Sequence, residues 1–137
     1  MLVFLDSVIV IYAVEGLFDR RRRARAHLNA LTSEGHHFVV SDLTRLECMV
    51  KPSRSPSKPE NIILSEAFDL FLNDPDIIKA PLTSEVFAQA TLIRALDNFK
   101  LADALHLATA IEAGCGSFLT NDIKLARFRQ LPIALLP

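Results

Sequence analysis

Short apolar runs alternate along this chain with longer segments whose apolar residues recur at helical spacing. Continuous apolar runs of four or five residues are typical of strands that a parallel sheet buries on both faces. The pattern predicts five such strands, at Leu2–Leu5, Phe38–Val40, Ile77–Ile78, Ser117–Leu119 and Ile133–Leu136.

Helices are predicted between these strands. Asp19 is a candidate N-cap, and Gly16, Gly35 and Gly114 each follow a helical segment as a stop signal. Strands that alternate with helices indicate an α/β fold with a mostly parallel sheet, in one domain over residues 1–137. The predicted helices cover Val8–Val14, Asp19–Ser33, Asp42–Val50, Asn61–Leu72, Thr83–Asp97, Ala102–Ala113 and, briefly, Asp122–Phe128, with a proline- and serine-rich loop from Pro52 to Pro59.

The composition favours a compact protein but does not indicate what the protein binds. Half of the residues are hydrophobic, which a disordered chain would not carry. The formal charge is −1, from 15 basic and 16 acidic side chains, so global charge does not indicate a nucleic-acid partner. The two cysteines, Cys48 and Cys115, are not in a metal-ligand spacing, and we interpret both as small core residues.

The apolar segment Met1–Val14 does not have the pattern of a signal peptide. It lacks a basic start, contains Asp6 and shows no small-residue cleavage site. No segment reaches the roughly 18–20 apolar residues of a membrane span. We therefore expect a cytoplasmic protein.

Four acids are predicted to meet at one edge of the sheet. Asp6 directly follows the first strand and Asp122 shortly follows the fourth. Glu47 lies on the helix after the second strand, and Asp103 lies in the first turn of the helix before the fourth. Ligands of open parallel sheets bind at the carboxyl ends of the strands. Carboxylates that come together there cannot all stay ionised without a cation, and oxygen-only ligands favour Mg²⁺ or Mn²⁺.

Each acid also has a purely structural explanation. Asp6 and Asp122 can cap the helices that follow them, Asp103 can complement the positive end of its helix, and Glu47 can be solvated. Caps and surface acids are far commoner than catalytic ones, so the hypothesis depends on all four sharing one edge.

The chain resembles a known family at four places. These are the opening strand that ends in Asp6-Ser7, the segment Ser41–Glu47, the segment Lys100–Ala110 and the segment Leu119–Asp122. In their order and spacing, and over the whole chain length, they resemble PIN-domain proteins, in particular the VapC-like ribonuclease toxins. One departure is that many relatives have Asn or Thr shortly after the first acid, where this chain has Ser7 and Val8.

The resemblance implies a three-layer α/β/α fold and a hydrolase: an endoribonuclease that depends on one or two Mg²⁺ or Mn²⁺ ions. It also implies RNA as substrate and a cognate antitoxin as partner, and we expect a homodimer. Asp6, Glu47 and Asp103 match the acidic metal-site residues, Asp122 matches the fourth acid, and Thr120 matches a small hydroxyl residue beside them. Our hypothesis makes Asp6 and Asp103 direct ligands, Glu47 and Asp122 direct or water-mediated ones, with Ser7 or Thr120 positioning water or phosphate.

Three further features have two interpretations each. The basic run Arg20–Arg23 with Arg25 is either a solvated helix face or a contact for phosphate or for an acidic antitoxin segment. Arg45 either supports the site, by pairing with a site acid or a substrate phosphate, or forms a surface salt bridge. His106 can act as a general base, although a structural role is commoner.

Competing functions remain at this point. An Asp after the first strand also occurs in α/β phosphoacceptor and phosphatase domains, but a phosphatase of that kind needs a second Asp where this chain has Val8. A non-catalytic binding module does not need four acids. A PIN-fold nuclease in RNA processing, outside a toxin system, stays open.

Overall fold

A five-stranded parallel sheet forms the centre of the protein in a computed structural model that describes residues 1–137. The strands are β1 (Leu2–Leu5), β2 (His37–Ser41), β3 (Ile77–Ala80), β4 (Ser117–Thr120) and β5 (Ile133–Leu135). Their order across the sheet is β3-β2-β1-β4-β5, with every neighbouring pair parallel.

Six α-helices and one 3₁₀ turn connect the strands. They are α1 (Ser7–Glu15), α2 (Phe18–Ser33), α3 (Asp42–Ser53), α4 (Pro59–Leu72), α5 (Ser84–Asp97), α6 (Leu101–Glu112) and the 3₁₀ turn Ile123–Arg127. None of these helices combines the length and hydrophobicity that crossing a bilayer requires.

Apolar residues of successive strand positions pack on opposite faces of the sheet, which makes three layers. Val3 and Leu5 of β1 pack with α1 to α4 on one face, whereas Phe4 packs with α5 and α6 on the other. All three side chains are almost completely buried. The predicted three-layer α/β/α architecture is therefore confirmed.

Most element predictions are correct within two residues, and the exceptions have local causes. Helix α3 continues through Pro52 to Ser53, and burial of the Pro52 ring offsets part of the cost of a proline in the last turn. Helix α2 begins at Phe18, so Asp19 does not cap it; its carboxylate instead pairs with Arg22 and Arg23 in the first turns.

The sheet order creates the position of the site. The chain moves from β1 outward through β2 to β3, then returns to the other side of β1 to add β4 and β5. The direction therefore reverses between β1 and β4, where Leu5 is paired with Leu119. A crevice forms at such a switch point, beyond the carboxyl ends of the strands. Asp6 and Thr120 are the residues that end up there.

Burial of the Phe118 ring supports the α5–α6 face of the sheet. Phe118 is fully buried and stacks on Phe4, with ring centroids 5.3 Å apart. We predict that Phe118→Ala lowers the free energy of unfolding by about 3–5 kcal/mol, measured by urea denaturation. Phe18→Ala is the matched control, because Phe18 is 95% exposed and its loss is expected to change stability by less than about 0.5 kcal/mol. Equal losses would contradict this packing.

Both thiols are buried, and burial raises their pKa. The pKa of Cys48 rises to about 12, with the charges of Glu47 and Glu15 adding to the effect, and that of Cys115 rises to about 11. Since the thiolate is the reactive form, we predict very slow alkylation by iodoacetamide at pH 8 in the native protein. Both cysteines are expected to react fully in guanidinium, as followed by mass spectrometry. Rapid native labelling of Cys48 would contradict its placement in the core.

Candidate active site

A cavity of about 520 Å³ opens at the carboxyl ends of β1 and β4. All four predicted acids line it. Its wall consists of Asp6, Ser7, Val8, Ile11, Tyr12, Glu47, Asp103, Asn121 and Asp122. The structure therefore brings together residues from both ends of the chain, and the acids do not point to separate surfaces.

Asp6 is the most buried of the four carboxylates, at 9% exposure. It is the N-cap of α1, and its Oδ1 accepts a hydrogen bond of 2.9 Å from the backbone N–H of Ser7. Its Oδ2 accepts a bond of 2.7 Å from the Thr120 hydroxyl. Burial raises the pKa of Asp6, although these two donors oppose the rise. Asp6 therefore both caps α1 and lines the cavity.

Glu47 is held by two neighbours from other elements. Its Oε1 accepts a bond of 2.7 Å from the Ser7 hydroxyl and lies 2.5 Å from Nε2 of His106. The hydrogen bond with His106 is the main reason that the pKa of Glu47 is lowered. Glu47 is therefore a positioned carboxylate and not the freely solvated residue that the alternative interpretation described.

His106 is buried at 1% exposure, one turn after Asp103 on α6. To bond the ionised Glu47, its Nε2 has to carry a proton. Its Nδ1 is buried and has no hydrogen-bond partner. Through Nε2 the ring orients Glu47, which agrees with the structural interpretation of His106.

Asp103 and Asp122 complete the acidic wall. Asp103 is half-buried in the first turn of α6 and has no hydrogen-bond or ion-pair partner. Burial raises its pKa, and the charges of Asp6 and Asp122 add to the effect. Asp122 caps the 3₁₀ turn, with Oδ1 accepting a bond of 3.0 Å from Lys124 N–H. Asp103 is therefore the acid with the least compensation from the protein.

Thr120 connects two of the acids. Its hydroxyl is fully buried, donates to Asp6 and accepts a bond of 3.0 Å from the backbone N–H of Asp122. The sequence prediction placed Thr120 and Ser7 as supporting hydroxyl groups, and both do contact a carboxylate. In this conformation their contacts orient the acids of the cavity.

The acids do not form a closed metal-binding cluster. No three His, Cys, Asp or Glu side chains are placed to hold one ion together. Three of the carboxylates are engaged by protein donors: Asp6 by Thr120, Glu47 by His106 and Asp122 by Lys124. The four acids nevertheless offer only oxygen atoms as metal ligands, and Mg²⁺ and Mn²⁺ prefer oxygen ligands. Mg²⁺ keeps several of its waters in proteins, so it does not require three carboxylates in direct contact.

Three further residues differ in whether they line the cavity. Arg45 does not line it; its guanidinium lies 2.5 Å from Asp69 of α4, so the geometry favours the salt-bridge interpretation over a role in the site. Tyr12 and Asn121 do line it, and Asn121 Nδ2 donates a bond of 3.2 Å to the Tyr12 hydroxyl. Sequence analysis gave neither residue a role. The sequence signal that could have placed Tyr12 at the site is its position on the short helix that Asp6 caps.

Comparison with known proteins identifies the family. Residues 3–131 match the family model of the PIN domain. The chain belongs to the PIN-domain family. No curated protein sequence is similar enough to count as a relative.

Solved structures of toxin–antitoxin systems have the same fold as this PIN domain. It is similar to a chain of VapBC2 from Rickettsia felis bound to a promoter DNA fragment, with a TM-score of 0.79, 20% identity and complete coverage of both chains. DNA-bound VapBC from Salmonella typhimurium matches with a TM-score of 0.74, 19% identity and complete coverage of both. Mycobacterium tuberculosis VapC20, a sarcin–ricin loop cleaving toxin, matches with a TM-score of 0.67 and 15% identity, over 94% of this chain and 98% of its own.

The double role of Thr120 leads to a stability prediction. Thr120→Val keeps the shape of the side chain but removes the donor to Asp6 and the acceptor for Asp122 N–H. We predict a loss of about 1–3 kcal/mol in the free energy of unfolding, measured by urea denaturation. Thr120→Ser retains the hydroxyl and is expected to lose clearly less. If valine is tolerated better than serine, the hydrogen bonds contribute nothing.

Proposed function

We propose that this PIN domain is a metal-dependent endoribonuclease and the toxin of a toxin–antitoxin pair. The observation that carries the proposal is the convergence of four carboxylates, from β1, α3, α6 and the end of β4, on one cavity at the switch point. A set of acids whose charges oppose one another is poorly suited to a structural role, because each adds to the cost of ionising the next.

A divalent cation relieves that repulsion. Asp6 and Asp103 are the proposed direct ligands of Mg²⁺ or Mn²⁺, with Glu47 and Asp122 bound directly or through water. When bound, such an ion lowers the pKa of a coordinated water and neutralises phosphate charge. The protein's own part is to orient the acids: Thr120 holds Asp6, while Ser7 and His106 hold Glu47. One ion or two are both compatible with this arrangement.

RNA is the proposed substrate and an antitoxin the proposed partner. The support is the family membership, together with structural similarity to VapBC complexes and to a toxin that cleaves the sarcin–ricin loop. A homodimer and a cytoplasmic location stay predictions. The phosphoacceptor alternative loses its support, because the PIN model covers residues 3–131 and Val8 lies in the cavity where a second Asp is needed.

Asp103 is the most informative residue to change. We predict that Asp103→Asn abolishes cleavage of structured RNA in Mg²⁺ or Mn²⁺, since the amide cannot supply a charged ligand. The metal-free variant is expected to be at least as stable as the parent protein, because the raised pKa of Asp103 means that its ionised form opposes folding. RNA cleavage assays and thermal unfolding measure the two effects.

The matched control is Asp76→Asn, an exposed acid near the start of β3 that does not line the cavity. It is expected to retain full activity. Chelator is expected to stop the parent enzyme, and added Mg²⁺ or Mn²⁺ to restore it. Cleavage that survives either chelator or Asp103→Asn would refute the proposal.

A further inference from the structure

One arginine of the basic run lies beside the active-site cavity. The guanidinium carbon of Arg20 lies 5.1 Å from the centroid of the Tyr12 ring, which is within the range of a cation–π contact. Tyr12 itself lines the cavity, and its hydroxyl is bonded to Asn121, which precedes Asp122. Tyr12 therefore links Arg20 to the wall of the cavity that the carboxylates line.

The other arginines of the run are used elsewhere. Arg22 and Arg23 pair with Asp19, at 3.1 and 3.7 Å, and Arg23 also donates to the main-chain oxygen of Pro137. Arg25 donates a bond of 2.7 Å to the carbonyl oxygen of Ala13. Arg21 faces a different cavity, with Glu15 and Lys51 in its wall. Arg20 is exposed and has no carboxylate within ion-pair distance.

The negative charge of the cavity explains why a cationic side chain is needed next to it. The cavity carries four acids, and a bound cation can neutralise only the phosphate that it contacts. The phosphodiesters on either side of the cleaved one still approach a negative wall. A guanidinium that stacks on an aromatic ring keeps its N–H donors free for two bonds to phosphate oxygens.

We propose that Arg20, positioned by Tyr12, is a phosphate-binding subsite that holds an RNA phosphodiester adjacent to the one cleaved. This inference rests on the proposed function, because it takes RNA as the substrate. RNA is favoured over an acidic peptide because the Tyr12–Asn121 contact makes the subsite continuous with the cavity wall. The subsite reads backbone charge and does not select a base.

The binding experiment uses the Asp103→Asn protein with Mg²⁺, so that single-stranded RNA is bound and not cut. Adding Arg20→Ala to this protein is expected to raise the Kd for RNA roughly tenfold, because one charge-assisted hydrogen bond is lost. It is also expected to reduce the slope of log K against log salt by about 0.7, the value for one single-strand phosphate contact. Arg22→Ala removes the same charge two residues away and is expected to change Kd less than about twofold, because its partner is Asp19.

Two further measurements separate a subsite from a general charge effect. In the active protein, Arg20→Ala is expected to raise KM with kcat nearly unchanged, since uniform binding is lost. Tyr12→Leu removes the ring and is expected to reproduce the loss in affinity, and adding Arg20→Ala to it is expected to cost little more. Tyr12→Phe keeps the ring but loses the bond from Asn121, and is expected to retain most of the affinity that Tyr12→Leu loses. Thermal unfolding confirms that each variant is folded.

The outcomes distinguish this inference from the proposed function. Unchanged RNA affinity in Arg20→Ala, or equal losses in Arg20→Ala and Arg22→Ala, would overturn the subsite even if the protein cleaves RNA. Unchanged RNA affinity with lost binding to a polyglutamate peptide would assign Arg20 to a protein partner instead. If RNA binds through Arg20 with the expected salt slope but the active protein never cuts it, the subsite stands and the nuclease proposal fails.

Discussion

The cost of bringing partly buried carboxylates together at one end of the sheet is the constraint around which this protein is organised. The carboxyl ends of β1 and β4 meet at the switch point of the sheet, and burial there raises the pKa of both Asp6 and Asp103. Each neighbouring acid makes ionisation of the next more costly, as the effect of Asp6 and Asp122 on Asp103 shows. The apolar sheet beneath, with Phe4 and Phe118 fully buried, provides the rigid frame that keeps these charges together.

The protein compensates these charges unequally. Hydroxyl groups and one imidazole hold Asp6 and Glu47, and a backbone N–H holds Asp122, so the protein itself orients three of the acids. Asp103 receives no hydrogen bond and no ion pair from the protein and remains half-buried. Residues at functional sites commonly cost stability in this way. The unequal compensation makes Asp103 the carboxylate that the proposed cation would stabilise most.

Local segregation of charge makes a net charge of −1 compatible with the proposed RNA substrate. Acids line the cavity, whereas Arg20 of α2 contacts Tyr12, which is part of the cavity wall. Most of the other arginines of α2 stabilise the fold through Asp19, Pro137 and the carbonyl of Ala13. These contacts favour the solvated-face interpretation for Arg22, Arg23 and Arg25, while Arg20 stands apart through its contact with Tyr12.

Periodicity and chain neighbours were enough to predict the strands and helices, the α/β class and the presence of acids at the carboxyl ends of β1 and β4. These are local properties of the chain. The capping role of Asp6 was readable for the same reason. Tertiary structure decided the rest: the contacts among Ser7, Glu47 and His106 join residues 40, 59 and 99 positions apart. They exist because β1 lies between β2 and β4, an order that a linear pattern does not contain. The partners of Arg45 and Arg20 were likewise decided by packing, since a long charged side chain has many partners within reach.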